Sequence, residues 1–482
     1  MKRINYISLL ISFTLLMSFV SCEDWLEKGY ENPDAPPNNA LTENVYLPGV
    51  LGSVTYELTG GMPARESNYW LGQIAENAAP PTTATFNMDE SDVNNTWTYN
   101  VYTGALKNNV IMTNKAKENG NFYYQGIGNV ITAYVLGVTS DLWGDIPWSQ
   151  AFKPLEYPKP VFDTQAAIYT EIMALLTEAD QLFAKETDGQ IRRPGADDLL
   201  YGGNIASWRK LSNTLKARFA IHLTYAPGKT GTAQADIALA ALANGFATNN
   251  DDADFEYFDE SGSESPWNQW HLKWTRMYAN EFIYELMDGK SDPRIADYFD
   301  TNEAGEYVPH RNGNDIQGET YAGELISFIN ENFRAADLPI SWITYAEAKF
   351  IAAEAYLWKG QTAQAQAAFA DAIRANMTKV GIATTDINAY ITALGNLPAN
   401  FEAAQRMIIE EKYVANFLSL ENWNDYRRTG YPLVSAANTD SPTHPNIPLR
   451  WMYPSDVRLS NAANMPDVDW LTDRLWWDAK SK

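Results

Sequence analysis

The segment from Ser265 to Trp274 has the residue types of a sugar-binding surface. It holds Trp267, Trp270 and Trp274, together with His271, an asparagine and a glutamine. An indole face suits the apolar C–H face of a sugar ring, and amide and imidazole groups hydrogen-bond to hydroxyls. The alternative is structural, because the three tryptophans are spaced i, i+3 and i+7 and could form one buried stripe of a helix.

A second candidate binding segment runs from Thr82 to Tyr102. It begins as a loop rich in threonine, and we expect Phe86 and Tyr99 to be exposed there and to contact a ligand. Trp97 is also a candidate ligand-binding residue. The alternative for Trp97 is that, with Tyr102, it anchors a helix into the core, since large aromatic side chains are mostly buried.

Other site chemistries are weakly supported. Residues 251–260 include six acids, which could ligate Ca²⁺, but the spacing lacks the glycine and bidentate glutamate of an EF-hand, so solvated surface acids are expected. The four histidines form no HExxH pair, and the single cysteine excludes a cysteine metal cluster. We therefore expect no metal, no cofactor and no enzyme, although a glycosidase needs only two carboxylates and the chain has 60 acids.

The N-terminus has the features of a targeting signal. Lys2 and Arg3 precede an apolar run from Ile4 to Val20, and a small residue then precedes Cys22. This arrangement resembles a bacterial lipoprotein signal, which implies removal of residues 1–21, lipidation of Cys22 and a tether over 22–40. Acyl chains on Cys22 would hold the protein to a membrane. A single transmembrane anchor is the alternative for the apolar run.

The rest of the chain reads as a mostly α protein. A net charge of −24 argues against a nucleic-acid partner, because phosphate binding needs a basic face. Apolar residues at three- and four-residue spacing predict helices, and no βαβ alternation is present. We expect one domain over 41–482, with an irregular, aromatic-rich insertion at about 246–340. The main predicted helices cover 42–58, 67–79, 96–118, 122–140, 163–185, 205–225, 232–244 and 342–377.

The helical region 342–377 shows a repeat pattern. Tyr356, Gly360, Ala365, Phe369 and Ala372 have the spacing of small and aromatic residues found in a tetratricopeptide repeat. Such a unit cannot bury its apolar face alone, so neighbouring helices are expected to stack on it. Other alanine-rich helical hairpins would also fit this spacing.

Several short motifs, taken in order, resemble those of the SusD/RagB family of outer-membrane nutrient-binding lipoproteins, in its SusD-like subgroup. Trp148 stands where the family usually has Tyr. A terminal pattern, R..YP…N, is matched by Arg450, Tyr453, Pro454 and Asn461, with Asp456 where the family usually has Glu. The matching segments are Asp141–Trp148 (DLWGDIPW), Leu215–Arg218 (LKAR), Asp292–Arg294 (DPR), Thr344–Ala348 (TYAEA), Glu411–Tyr413 (EKY) and Trp423–Pro432 (WNDYRRTGYP).

This resemblance implies a function as well as a fold. It implies a mostly α fold with tetratricopeptide-like repeats, a lipid anchor at the cell surface, and partnership with a TonB-dependent outer-membrane barrel of the SusC type. The expected activity is capture of an oligosaccharide nutrient and its delivery to that barrel. The alternatives are capture of oligopeptides and a scaffold role without a small ligand. Arg427 and Arg428, in the Trp423–Pro432 motif, are expected to pair with local acids or helix ends rather than with a ligand.

Overall fold

The structure is a computed structural model that describes residues 41–76, 82–187, 189–274, 277–313, 325–435 and 446–480. The predicted signal peptide (1–21), Cys22 and the tether (22–40) lie outside these ranges. Helices dominate the described residues, and the named strands are two residues long. The prediction of a mostly α fold is confirmed.

The α-helices are numbered in chain order. They are α1 (Glu43–Ser53), α2 (Met62–Trp70), α3 (Asn108–Glu118), α4 (Phe122–Trp143), α5 (Gln165–Phe183), α6 (Ile205–His222), α7 (Gly231–Leu242), α8 (Pro266–Trp274), α9 (Glu281–Asp288), α10 (Ile295–Tyr298), α11 (Tyr345–Trp358), α12 (Thr362–Val380), α13 (Thr384–Leu394), α14 (Phe401–Ala415), α15 (Glu421–Thr429) and α16 (Ser455–Asn461).

Two π-helices and several short elements complete the fold. The π-helices are Val54–Thr59 and Thr96–Lys107, and 3₁₀ turns cover Thr83–Thr85, Leu223–Tyr225, Asn249–Asp251 and Glu331–Phe333. The strands are β1 (Ile74–Ala75), β2 (Asp254–Phe255), β3 (Tyr278–Ala279) and β4 (Ile340–Ser341).

Side-chain caps begin several of the long helices. Thr164 accepts a hydrogen bond from the Ala167 amide at the start of α5, and Thr344 accepts one from the Glu347 amide at the start of α11. Each cap satisfies an amide that has no partner within the helix. Helix α12 ends at Gly381, whose φ of 101° lies in the left-handed region that glycine tolerates best.

The long helices pack mainly on their neighbours in the chain. α3, α4, α5, α6 and α7 contact one another in series, α7 contacts α11, and α11 contacts α12 and α14. Glycines allow the closest approaches. A Cβ at Gly128 of α4 would lie 1.9 Å from Thr113 Oγ1 of α3, and one at Gly137 would lie 2.3 Å from Phe219 Cε1 of α6. Any larger residue at these positions would push the helices apart.

The segment with the repeat spacing forms the α11–α12 hairpin. Ala365, Phe369 and Ala372 are buried in it, and Gly360 lies in the connecting turn with a φ of 67°. The side chains therefore take the core positions that the spacing predicts. The assignment of this hairpin as a tetratricopeptide repeat stays a prediction.

The expected helix over 67–79 is wrong. Helix α2 ends at Trp70, and Gly72 then turns the chain with a φ of 69°. The following residues form β1, in which Ile74 pairs with Ala279 of β3. This pairing with a distant segment overrides the local helical spacing, because short apolar runs are compatible with either structure.

The segment 246–340 contains short elements joined by loops. Its strands form two antiparallel pairs. β3 pairs with β1, which follows α2, and β2 pairs with β4 at the end of the segment, with Asp254 opposite Ser341. Among the residues that the structure describes, no helix has the length and apolar character needed to cross a membrane.

The two arginines of the Trp423–Pro432 motif have structural roles. Arg428 is fully buried and donates to Glu354 at 2.5 Å and to Asp425 at 2.7 Å. Arg427 is also fully buried, stacks 3.6 Å above the Trp423 ring and donates to the Asp141 carbonyl. As expected, the two arginines pair with local groups, and they join distant helices rather than line a binding surface.

Candidate functional site

The two sequence-predicted binding segments meet at one cleft. The cleft has a volume of about 600 Å³ and lies between α8, the π-helix 54–59, the start of α2 and residues 92–100. We call it the α8 cleft. Its volume falls within the usual range for a ligand site, about 300–1,000 Å³. Its lining residues are Tyr56, Glu57, Gly60, Gly61, Met62, Arg65, Asp92, Asn95, Thr96, Asn100, Pro266, Trp267, Gln269, Trp270 and Lys273.

Helix α8 is held in a defined orientation. It starts at Pro266, a residue that suits the first turn because its missing N–H would have no helical partner there. The Asn268 amide donates to the Arg334 carbonyl at 2.7 Å and ties the helix to the later part of the same irregular segment. The helical period then directs Gln269, Trp270 and Lys273 toward the cleft.

Only part of the predicted aromatic set reaches the cleft. Trp267 lines it, but its side chain is 2% exposed and belongs to the core, as the stripe alternative predicts. Trp270 is half-buried, its indole N–H donates to the Tyr69 hydroxyl at 3.0 Å, and the Arg65 guanidinium lies 3.8 Å from its ring centroid. The side chain of Trp274 lies outside the described residues.

His271 does not line the cleft. Its ring is 5.6 Å from the Phe328 ring in an edge-on contact, and its Nε2 is 3.1 Å from Arg334 Nη1. Burial, together with the nearby Arg334 charge, lowers the pKa of His271 to about 4. The ring is therefore neutral at physiological pH and can accept the Arg334 hydrogen bond.

The expectation that Phe86 is exposed is wrong. Its side chain is 1% exposed and makes an edge contact with Trp70 at 6.4 Å. A capping box between Thr82 and Thr85 folds this stretch into a 3₁₀ turn, and Phe86 follows with a φ of 66°. This local turn directs the ring into the core, where no ligand can contact it.

Tyr99 is exposed as expected, with 63% of its surface accessible. Trp97 instead takes the core alternative and packs edge-on against Trp143 at 5.0 Å. The same segment contributes Asn95 and Asn100 to the α8 cleft. The segment thus borders the cleft through amides rather than through the aromatic residues chosen from it, and its role in ligand binding stays a prediction.

Sequence reasoning missed the residues from the π-helix 54–59. Tyr56 lines the cleft with 37% of its surface exposed, and its ring contacts Tyr257 edge-on at 6.4 Å. Glu57 accepts a hydrogen bond from the Asn100 amide at 2.9 Å, and burial raises the pKa of its carboxyl. Both π-helices border this cleft, and π-turns are frequent at functional sites. Helical spacing in the sequence does not distinguish a π-turn from an α-turn.

The cleft can bind a ligand that presents both apolar surface and hydrogen-bonding groups. The rings of Tyr56 and Trp270 provide aromatic surface, and Asn95, Asn100 and Gln269 provide amides that both donate and accept. Its charged residues are two bases, Arg65 and Lys273, and two acids, Glu57 and Asp92. A combination of aromatic surface with a few polar groups is common in ligand-binding pockets.

Lysine side chains form ion pairs with three acids of the segment 251–260. Asp251 accepts a hydrogen bond from Lys210 at 2.7 Å, and Lys379 bridges Asp252 and Asp254 at 2.7 and 2.8 Å. Asp251 and Asp252 are buried, so the expectation of solvated surface acids is wrong for them. No group of three or more metal-ligating side chains occurs in the part of the chain that the structure describes.

Comparison with known proteins places the chain in a family. A SusD-like family profile, described as "Starch-binding associating with outer membrane", matches residues 39–454. A SusD homologue from Bacteroides fragilis aligns with a TM-score of 0.77 at 21% identity, over 91% of this chain and 100% of that one. A protein named chitin-binding protein aligns with a TM-score of 0.76 at 20% identity, over 91% and 100%.

A SusD/RagB family protein from Bacteroides thetaiotaomicron aligns with a TM-score of 0.74 at 22% identity, over 92% of this chain and 100% of that one. No curated protein matches the chain. The structural matches show the helical fold, and the profile covers most of the sequence. The chain therefore belongs to the SusD-like family of outer-membrane-associated binding proteins.

Proposed function

We propose that this protein binds an oligosaccharide in the α8 cleft and delivers it to a TonB-dependent barrel in the outer membrane. The observation that carries the proposal is the composition of the cleft, in which aromatic rings and side-chain amides face one space of about 600 Å³. Sugar rings present C–H faces to aromatic groups and hydroxyls to amides, so both kinds of contact can form at once.

Tyr56 is proposed as the main aromatic contact. It is more exposed than Trp267, and the Arg65 guanidinium already lies over the Trp270 ring. Because the Arg65 guanidinium covers one face of the Trp270 ring, these two residues form one part of the cleft wall together. Tyr99 extends the aromatic surface beyond the cleft, on the π-helix that also carries Asn100.

A neutral glycan is the favoured ligand. The two bases and two acids of the cleft offset one another, so the cleft has no strong local field of either sign. The chain as a whole has a net charge of −24, which repels highly anionic polysaccharides at long range. The family description as starch-binding and the relative named chitin-binding protein support a neutral sugar polymer.

The test is a set of titrations on the full chain carrying Cys22→Ser, which removes the predicted lipidation site. Binding of neutral and acidic oligosaccharides and of mixed oligopeptides is measured by calorimetry. We expect saturable binding of a neutral glycan that is recovered uncut. Tyr56→Ala should weaken it about tenfold, since an aromatic contact is worth about 1–1.5 kcal/mol.

Two further variants sharpen this test. Gln269→Ala removes one cleft amide and should also weaken the glycan. Leu272→Ala is the matched control, because this residue is on the same helix, is 68% exposed and does not line the cleft. Saturation with peptides alone would favour oligopeptide capture. Binding of no ligand would favour a scaffold, and equal effects of Tyr56→Ala and Leu272→Ala would contradict the proposed cleft.

The membrane location has its own test. We propose that Cys22 is lipidated and that the anchored protein associates with a SusC-type barrel at the cell surface. Wild-type protein should then fractionate with outer membranes and copurify with a large barrel protein. The Cys22→Ser chain should lose membrane retention, and equal retention of both chains would contradict the anchor.

A further inference from the structure

Two leucines protrude from the surface where the connection between α4 and α5 packs on α16. Leu155, in that connection, is fully exposed, and Leu459 of α16 is 87% exposed. Val161 is a third exposed apolar residue of the same connection. Single apolar residues are common on protein surfaces, whereas a group of them beside a pocket is typical of an interaction site. We call these three residues and the pocket beside them the Leu155 patch.

The pocket of the Leu155 patch is built from aromatic rings and prolines. It has a volume of about 240 Å³ and opens to solvent beside the half-buried rings of Tyr102, Phe152 and Phe162. Pro158 and Pro160 of the connection line it, and so do Val457 and Ser460 of α16, which flank Leu459 in the chain. An apolar pocket with protruding leucines at its edge can receive an anchoring side chain from a partner protein.

Hydrogen bonds hold the patch in a defined shape. The Asp163 carboxylate accepts from the Trp148 and Ser149 amides at 2.9 and 2.8 Å and closes the base of the connection. The Asn461 amide at the end of α16 donates to the Pro160 carbonyl at 2.8 Å. Because the two halves of the patch are already joined, docking requires little additional ordering.

The charge of the patch differs from that of the whole chain. Lys153 and Lys159 lie on either side of Leu155 in the sequence, and Glu156 is the one acid from 150 to 161, so this stretch has a net charge of +1 (2 − 1). Neither lysine pairs with an acid among the residues that the structure describes. The chain as a whole has a net charge of −24. An acidic partner is therefore attracted to this patch and repelled by most of the remaining surface.

The patch lies next to the α8 cleft. The π-helix 96–107 separates the two, because its Thr96 and Asn100 line the cleft while its Trp97 and Tyr102 line the pocket of the patch. A partner docked on the patch is thus one helix away from a ligand held in the cleft. This position suits a partner that takes over the ligand.

We propose that the Leu155 patch docks an apolar protein surface that carries carboxylates, and that this surface belongs to the TonB-dependent barrel. The identity of the partner rests on the proposed function, whereas the place and chemistry of docking rest on the patch itself. A lipid surface has no side chain to fill the pocket, so the pocket favours a protein over a membrane.

The test is copurification of the barrel with the lipidated full chain from detergent-solubilised outer membranes. Leu155→Asp/Leu459→Asp removes the apolar contacts and adds two negative charges, and it should lower the amount of bound barrel about tenfold or more. Lys153→Glu/Lys159→Glu should also lower it, more strongly at low salt than at high salt.

Leu199→Asp is the matched control. Leu199 is another exposed leucine, but it follows α5, whereas the patch precedes that helix. This variant should retain as much barrel as wild type. All three variants should keep their glycan affinity, since none of these residues lines the α8 cleft.

The outcomes separate this proposal from the proposed function. If wild-type protein retains no barrel, the proposed partnership fails and this inference fails with it. If wild type and Leu155→Asp/Leu459→Asp retain the barrel equally, or if Leu199→Asp loses it equally, the docking site is wrong and the partnership stands. Binding of the Cys22→Ser chain to anionic lipid vesicles that requires Leu155 and Leu459 would assign the patch to a membrane and overturn the proposal. If the leucine variant fails to fold by circular dichroism, the lysine variant decides.

Discussion

His222 is expected to make the stability of this protein depend on pH. Its Nε2 lies 2.7 Å from Glu421 Oε1, and its Nδ1 lies 2.9 Å from the Tyr169 hydroxyl, which in turn donates to Asp141 at 2.6 Å. Both ring nitrogens can donate only when the imidazole is protonated. Burial lowers the pKa of His222, but the carboxylates of Glu421 and Asp141 outweigh it and raise the pKa to about 9.

The sign and size of the effect follow from this shift. The folded pKa of His222 exceeds its ordinary value of 6.5, so the stabilisation is fully present below pH 6.5 and is lost as the pH rises through 9. One pKa unit corresponds to about 1.4 kcal/mol, so the shift contributes ~3 kcal/mol to the free energy of unfolding. That is a large part of the stability of a typical protein.

The measurement is urea unfolding of wild type and His222→Gln from pH 6 to pH 9.5, followed by tryptophan fluorescence. Glutamine keeps an amide donor toward Glu421 but does not titrate. We expect the difference in free energy of unfolding between the two proteins to shrink by ~3 kcal/mol across this range. Parallel pH profiles for the two proteins would refute the assignment of a protonated His222.

Two further predictions concern the helical core. Arg428→Met leaves the buried Glu354 carboxylate without its ion pair, while Asp425 keeps Lys412, and it should lower the free energy of unfolding by about 3–5 kcal/mol. Arg458→Met at an exposed ion pair should cost less than about 1 kcal/mol. Similar urea midpoints for these two variants would contradict the burial argument. Gly137→Ala should lower the free energy of unfolding by about 1–3 kcal/mol, because its Cβ meets a phenylalanine ring of α6. Gly49→Ala, in open space on α1, should raise the free energy of unfolding by up to about 1 kcal/mol. A melting temperature that is unchanged by Gly137→Ala would show that α4 and α6 can separate at no cost.

The candidate site illustrates how far residue types can predict a binding surface. The richness in tryptophan and amides selects α8 as a candidate, and α8 and the segment 82–102 border the same cleft. The pattern does not say which ring is exposed. Trp267 and Trp270 share one helix, yet one is in the core and the other is stacked beneath Arg65, a residue 205 positions away in the chain (270 − 65).

The sequence by itself shows the helical periodicity, the individual motifs and the N-terminal signal pattern. Each of these depends on residues that are close together in the chain. They predict a mostly α protein of the SusD-like family, and the family profile and the fold confirm this. The exposure of a side chain and the groups that it contacts depend instead on packing between distant segments. Phe86 is buried because a 3₁₀ turn directs it against Trp70, and Tyr56 reaches the cleft because two π-helices meet α8 there. Only the tertiary structure decides such contacts, since burial is a property of the packed chain and not of any one residue.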